Sequence, residues 1–317
     1  MKVLVTGADG FVGRHLVRRL LQAGHQVAAA CRPGGPEVEW TEAGPAGPAP
    51  ETFRLEITDD ESVRSVLAWR PDAIVHLAAV ASNREASHDP GGAWLVNAAG
   101  TARLIAGAAA LREAGLADPL VLVVSTGEVY GVAEPVPRVE TDPLRPLSPY
   151  AASKAGAEAA SLAEWRRSGL RVVIARPFPH TGAGQSAQYV APALAQRLRE
   201  ARRTGAATVP TGNLDPVRDL LDVGDVVEAY SALLRLGVPG EAYNIARGEG
   251  LSVAELFERL AELIGVRARP EPDPVLRRSS DIPHLVGDST KLRRATGWAP
   301  SISLEQTLRR LVDAEAD

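Results

Sequence analysis

Tyr150 and Lys154 stand four residues apart in the stretch Tyr150-Ala-Ala-Ser-Lys154. On a helix that spacing puts both side chains on one face. An ammonium beside a phenol favours the phenolate and draws its pKa down from about 10 toward neutrality. Such a phenol can exchange a proton with a sugar alcohol or ketone. A solvated helix face is the plain alternative for the pair. Lys154 is one of only three lysines, with Lys2 and Lys291, in a chain whose other basic residues are all arginine. A second cluster, Ser125-Thr126-Gly127-Glu128, follows an apolar run. In open α/β sheets ligands bind beyond the carboxyl ends of strands, so Thr126 is expected to hold the reacting oxygen, with Ser125 supporting it. Strand capping is the competing role for either hydroxyl. Glu128 has two roles open to it, acid/base in a second proton transfer or orientation of a substrate.

The N-terminus carries a third pattern. Val3-Leu4-Val5 runs straight into Thr6-Gly7-Ala8-Asp9-Gly10-Phe11-Val12-Gly13, and a helical pattern follows. In that strand–loop–helix setting Gly7 permits the tight turn, Gly10 lets the backbone approach a pyrophosphate, and Gly13 allows close packing of helix on strand. The helix N-terminus adds N–H donors and a positive dipole. The second strand ends at Cys31-Arg32, where an NAD-preferring site places an acid on the ribose. Arg32 suits a 2′-phosphate instead, since its fork can bind in bidentate fashion. The expected cofactor is NADP(H), with NAD(H) as the alternative. An ordinary surface arginine is the competing reading in so Arg-rich a chain.

The elements needed to position these groups are legible as alternating strands and helices. Val3–Thr6, Val27–Ala30, Ala73–Leu77, Leu120–Ser125 and Val172–Ala175 read as strands. Phe11–Gln22, a long Ala-rich segment from about Trp94 to Glu113, and about Pro149 to Arg167 read as helices, and Thr58-Asp-Asp-Glu61 reads as a capping box for another. Alternation of this kind predicts βαβ units and a doubly wound parallel sheet of Rossmann type. After Arg176 the pattern changes. Helices are expected around Ala191–Arg202 and Asp222–Leu236, a last strand at Ala242–Ile245, and capping boxes at Ser252-Val-Ala-Glu255 and Ser303-Leu-Glu-Gln306. Arg32–Glu51 and Pro270–Pro274 read as loops. The expected division is a nucleotide-binding domain of residues 1–177 plus about 217–247, and a smaller α/β substrate domain of about 178–216 plus 248–317.

Composition narrows the function classes. With 317 residues the chain can bury a full core. A single cysteine excludes an intramolecular disulfide and a cysteine-built zinc site, and no metal site is expected. The net charge of −4 argues against a nucleic-acid partner. No secretory pattern opens the chain and no window holds eighteen consecutive apolar residues, so a cytoplasmic protein with no membrane partner is expected.

Taken together, the motifs resemble the extended short-chain dehydrogenases/reductases of the nucleotide-sugar epimerase/dehydratase group. The marks are the Thr6–Gly13 loop, His76-Leu-Ala-Ala79, Asn97 before Gly100-Thr101, Ser125-Thr126, Tyr150-x-x-x-Lys154, Arg176-Pro177 and Arg218-Asp219. The resemblance implies about seven sheet strands and a homodimer built through a four-helix bundle. It assigns Tyr150 as acid/base, Lys154 to the nicotinamide ribose and Thr126 to the substrate oxygen. Asp9, Phe11, Val12, Glu56, Ile57, Leu77, Ala78, Ala79 and Asn97 would join the cofactor site. Within the group, Arg176-Pro-Phe-Pro-His-Thr-Gly-Ala-Gly-Gln185, Gly212–Asp219 and Arg278-Ser-Ser-Asp-Ile-Pro283 are most similar to GDP-4-keto-6-deoxy-D-mannose reductases. That implies a GDP-sugar substrate whose C4 ketone is reduced, with Arg218 and Arg278 clamping its diphosphate. His180 either contacts substrate or packs under its loop. Two positions depart from the group: Pro179 stands where Asn is usual, and Gly127 where dehydratases carry a polar acid. A 4,6-dehydratase using Glu128 at C5, a 4-epimerase and a non-catalytic NADP sensor are the alternatives.

Overall fold

The structure, a computed structural model, describes residues 1–40, 49–276 and 281–314. Seven parallel strands form the main sheet. β1 (Lys2–Thr6), β2 (Gln26–Cys31), β3 (Glu51–Arg54), β4 (Ala73–His76), β5 (Leu120–Val124) and β6 (Arg171–Pro177) are joined by a seventh, Ala242–Ile245. Across the sheet the order is Ala242–Ile245, β6, β5, β4, β1, β2, β3. Register is set by pairs such as Val3↔Val27, Val3↔Ala73 and Leu120↔Arg171.

The near-continuous apolar strands are explained by burial on both faces. Side chains alternate along each strand. Val3, Val5, Val75, Leu122 and Val173 therefore enter one core with helix α1 (Phe11–Gln22) and the helix Val223–Leu236. Leu4, Ile74, Val121, Val123 and Ile174 enter the other, with helix α2 (Asp60–Leu67) and the helix Thr101–Glu113. A separate core gathers the helices Val190–Thr204, Val253–Ile264 and Leu304–Ala314 into a smaller unit. Short sheets tie this unit together, one of them ordered Gly250–Ser252, Val217–Asp219, His284–Leu285.

Several local expectations are corrected. Glu51–Arg54 is a strand rather than the end of a loop; it lies at the sheet edge and three of its four residues are exposed, so it lacks an apolar signature. The α2 cap is Asp59, whose carboxylate accepts from Ser62 N at 2.6 Å, while Thr58 bonds to Glu56 instead. The long helix begins at Pro90, not Trp94, and Leu95–Gly100 is a π-helical turn within it. It is also the one helix among the described residues whose length and composition would allow a membrane span, yet Leu104, Ile105, Ala108 and Ala109 pack against the sheet. Arg269–Pro272 pairs with Thr208–Thr211 rather than forming a loop; its prolines are tolerated because the ladder has only two strands. Val217–Asp219 pairs within the smaller unit, whereas Leu292 and Trp298 pack in a core of the main sheet. The two later capping boxes form as read.

Gly13 shows how tightly α1 sits on β1. A Cβ there would overlap the Gly7 carbonyl oxygen and approach Ala8 Cα to 2.8 Å. Gly13→Ala should lower unfolding free energy by about 1–3 kcal/mol, read from denaturant midpoints; an unchanged midpoint would contradict this packing.

Candidate active site

A cleft of about 1020 Å³ opens beyond the carboxyl ends of β1, β4, β5 and β6. Its wall includes Gly7, Asp9, Gly10, Phe11, Val12 and Gly13, then Arg32, Glu56 and Ile57, then Leu77, Ala78 and Ala79. Ser125, Thr126, Glu128, Tyr150, Lys154, His180 and Arg218 line it as well. Arg278 lies outside the described residues. No cluster of metal-ligating side chains occurs among the described residues.

The nucleotide end is built from backbone. Gly7 adopts φ +67°, and a Cβ on it would stand 2.8 Å from Ala78 N. Only the Gly7 carbonyl lies near a Cβ on Gly10, so that residue leaves its cleft side open. The N-terminus of α1 has no side-chain cap and no acid in its first turn. Open backbone N–H groups at a positive helix end suit a diphosphate. At the β2 tip, Arg32 is exposed and its carbonyl accepts from Arg54 at 3.3 Å. Cys31 pairs with Arg54 in the sheet, so two guanidinium groups flank this corner. Arg14 joins them through its bond to the Asp9 carbonyl at 2.9 Å. Asp9 is the corner's acid, and after burial its charge is the largest influence pushing the Cys31 thiol pKa up. Arg54 and Arg14 escaped the sequence reading, although β3 pairing would have pointed to Arg54.

Asn97 does not line the cleft. Its Oδ1 accepts from Val80 N at 2.8 Å, and its amide donates to Val80 O at 3.0 Å and Ser153 Oγ at 2.9 Å. Ser153 in turn donates to Tyr150 O. Asn97 therefore ties the Ala78–Val80 wall to the helix Pro149–Ser168. Beneath it lies a buried chain centred on His76, which the sequence reading used only as a family mark. Thr101 donates to Asn97 O at 2.5 Å, so its oxygen accepts from His76 Nε2–H at 2.9 Å. Donor count then makes Nδ1 the acceptor from Thr6 at 2.8 Å, and Thr6 Oγ1 accepts from Ala78 N at 3.2 Å. Burial, then the charge of Lys154, pushes His76 down to about 3, so this tautomer persists across neutral pH. The i, i+4 spacing of Asn97 and Thr101 was the available sequence signal.

At the chemical centre, Thr126 closes β5 and caps the turn Gly127–Tyr130, accepting from Glu128 N at 3.2 Å. The Tyr150 phenol hydrogen-bonds to Thr126. The Ser125 hydroxyl is buried without a partner among the described residues. The expected lowering of the phenol pKa is not produced by the protein's own groups. Burial raises it, as do the Glu128 charge and the neighbouring Tyr189 phenol, against the Thr126 hydrogen bond. Lys154 is 4% exposed, and burial lowers it to about 8 against the opposing charge of Glu158. Its ammonium has no hydrogen-bond or ion-pair partner among the described residues. A desolvated, unpartnered ammonium one turn from the phenol suits a polyhydroxyl ligand such as a ribose. Glu128 accepts from Asn83 Nδ2 at 2.8 Å. A side chain at Gly127 would press on the Phe178 ring, 3.1 Å from a Cβ.

On the substrate side, the His180 ring stacks on Phe11 at 6.4 Å and bonds to Phe178 O at 2.9 Å, so it packs while also facing the cleft. Arg218 reaches the cleft with its fork already bonded to Ile282 O at 2.7 Å and paired with Asp281 at 3.4 Å. Asp281 follows the segment that contains Arg278.

Comparison with known proteins agrees with this geometry. The profile of the GDP-mannose 4,6 dehydratase family matches residues 4–311. The chain belongs to that family. It is an enzyme of the NAD(P)-dependent, nucleotide-sugar branch of the short-chain dehydrogenases/reductases. Among its relatives is the GDP-6-deoxy-D-mannose reductase of Pseudomonas aeruginosa, 32% identical over 98% of this chain and 96% of the relative. The solved structure of RMD from P. aeruginosa complexed with NADPH superposes with a TM-score of 0.82 at 32% identity, covering 99% of this chain and 98% of that one. The UDP-glucose 4-epimerase of Thermus thermophilus in complex with NAD gives 0.86 at 31% identity, covering 99% and 98%.

Asn97→Ala strips partners from Val80 and Ser153 behind the family's cofactor wall. It should cost about 1–3 kcal/mol of stability and weaken dinucleotide binding without any direct contact being lost. Denaturation and binding titrations check both; unaltered binding would detach Asn97 from the site.

Proposed function

We propose that this enzyme reduces the C4 ketone of a 4-keto-6-deoxy nucleotide sugar with NADPH, converting GDP-4-keto-6-deoxy-D-mannose to GDP-D-rhamnose. The observation that carries the reading is that the Tyr150 phenol and the Thr126 side chain lie together in the cleft, while position 127, backed by Phe178, is glycine and adds no acid beside them. A reduction needs one proton delivered to one alkoxide; a dehydration also needs an acid for the departing C6 hydroxyl. The P. aeruginosa relative is named for GDP-6-deoxy-D-mannose, and D-rhamnose is 6-deoxy-D-mannose. The RMD structure carries NADPH, in line with Arg32 and Arg54 at the β2 tip. A second reading, 4,6-dehydration, is favoured by Glu128, whose charge reaches Tyr150.

The residues divide the work as follows. Gly7, Gly10 and the α1 N-terminus would seat the diphosphate; Arg32 with Arg54 would take the 2′-phosphate; Lys154 would hold the nicotinamide ribose. NADPH held there would supply the hydride for C4. Thr126 orients the ketone oxygen by hydrogen bonding. Tyr150 delivers its phenolic proton to that oxygen as charge develops, and its raised pKa in the protein alone makes it a proton donor at the outset. Glu128, fixed by Asn83, orients sugar hydroxyls, and Arg218 with Arg278 receives the substrate diphosphate. We extend the reading to a homodimer through the helices Pro90–Glu113 and Pro149–Ser168; Trp94 and Leu95, 45% and 49% exposed, offer apolar contact surface there.

Two variants test the assignment. Tyr150→Phe should cut turnover by about 10²–10⁴-fold with little change in NADPH affinity; near-normal turnover removes Tyr150 from its role. Arg32→Ala should shift the NADPH/NADH affinity ratio toward NADH by roughly tenfold or more. A ratio that does not move, measured by titration, would dismiss the 2′-phosphate contact.

A further inference from the structure

The helix Pro149–Ser168 continues its buried face past Lys154 to Glu158, one turn further on. The two side chains are 4% and 2% exposed. An ammonium and a carboxylate at i, i+4 on a buried face would ordinarily meet. Here they do not. Both Glu158 oxygens are taken by Arg176, with Nε on Oε1 at 3.0 Å and Nη2 on Oε2 at 2.7 Å. Arg176, on β6, is itself fixed. Its Nη1 donates to the Tyr130 hydroxyl at 2.9 Å and to Glu140 O at 3.2 Å. The Tyr130 hydroxyl donates to Asn244 Oδ1 at 2.7 Å, and Asn244 N donates to the Glu140 carboxylate at 2.8 Å. The carboxylate nearest Lys154 in sequence is thus held by a rigid fork.

We propose that Glu158 is a positioning residue for Lys154: its carboxylate offsets the buried charge from a distance, while Arg176 holds it back so that the ammonium keeps its N–H donors for the cofactor ribose. The inference rests on the reading of Lys154 as a ribose ligand. It explains two otherwise separate facts, a deeply buried lysine without a bonded partner among the described residues and a buried arginine whose Nε–Nη2 edge is spent on one glutamate. Among the described residues, the other charged and titratable groups that act on the Tyr150–Lys154 pair or respond to it are His76 on β4, Glu128 after β5, Tyr189 and Tyr230. His76 remains neutral down to about 3, so it does not respond in the range where Lys154 titrates.

The test reads NADPH affinity as a function of pH with no sugar present. The wild type should lose affinity as the pH rises through the deprotonation of Lys154. Glu158→Gln should move that loss down by about one pH unit, since an opposite charge nearby is removed. Arg176→Gln should move it up and weaken binding at neutral pH by about tenfold, as Glu158 collapses onto Lys154 and occupies its donors. Removing one member of a buried pair can unfold a protein, whereas neutralising both is tolerated better. The double variant Glu158→Gln/Arg176→Met should therefore fold and keep the lowered midpoint. Identical midpoints in the wild type and the double variant, with only the melting temperature changed, would reduce Glu158 to a structural role. If the midpoints move but no keto sugar is reduced, the reduction reading fails and this one stands. Binding of neither NADPH nor NADH to the wild type would overturn both.

Discussion

Lys154 is an almost fully buried ammonium at the wall of the cleft, on the helix that carries Tyr150. Removing such a charge from water costs several kcal/mol unless something compensates it, and much of the surrounding architecture can be understood as that compensation. Glu158 supplies the opposing charge one turn along. Arg176 holds Glu158, Tyr130 and the Glu140 carbonyl hold Arg176, and Asn244 on the seventh strand holds Tyr130. The network reaches from the active-site helix to β6 and the sheet edge. Its effect on chemistry is that the helix cannot rotate or slide without breaking buried ionic bonds, so the phenol stays against Thr126 at the end of β5.

The Ala78–Val80 wall of the cleft depends on a second buried network with a different logic. It contains no ionic pair among its members, and its directionality follows from donor count alone. Ala78, Thr6, His76, Thr101 and Asn97 form one chain in which every hydrogen is assigned. The π-helical turn Leu95–Gly100 lies where Asn97 must offer its carbonyl to Thr101 and its amide to Val80 and Ser153. Local departures of this kind are common at functional positions. The two networks meet at the helix Pro149–Ser168, through Ser153 on one side and Glu158 on the other. The Ala78–Val80 wall of the cleft and the Tyr150 phenol are therefore positioned by one rigid body.

Much of this was legible in the sequence, for physical reasons that differ by residue. The glycine loop and Tyr150-x-x-x-Lys154 could be read because local chain geometry brings their parts together. The apolar strands could be read because a parallel sheet is buried on both faces. β3 could not, because Glu51–Arg54 is an edge strand whose signal lies in pairing with Cys31 rather than in its own residues. With β3 unseen, Arg54 was unseen too. Asn97 braces the cofactor wall from behind rather than lining it, since a motif gives identity but not the direction of a side chain. The phenol was expected to be lowered by its lysine neighbour; burial, the Glu128 charge and the Tyr189 phenol reverse the sign, and none of these could be weighed without the fold.

The proposed reaction is the transfer of one hydride and one proton to a single ketone. Its most direct test mixes the purified enzyme with NADPH and GDP-4-keto-6-deoxy-D-mannose and follows cofactor absorbance together with the sugar product. One NADPH should be oxidised for each GDP-D-rhamnose formed. An unchanged cofactor signal, together with 4,6-dehydration of GDP-mannose in the absence of added reductant, would contradict it.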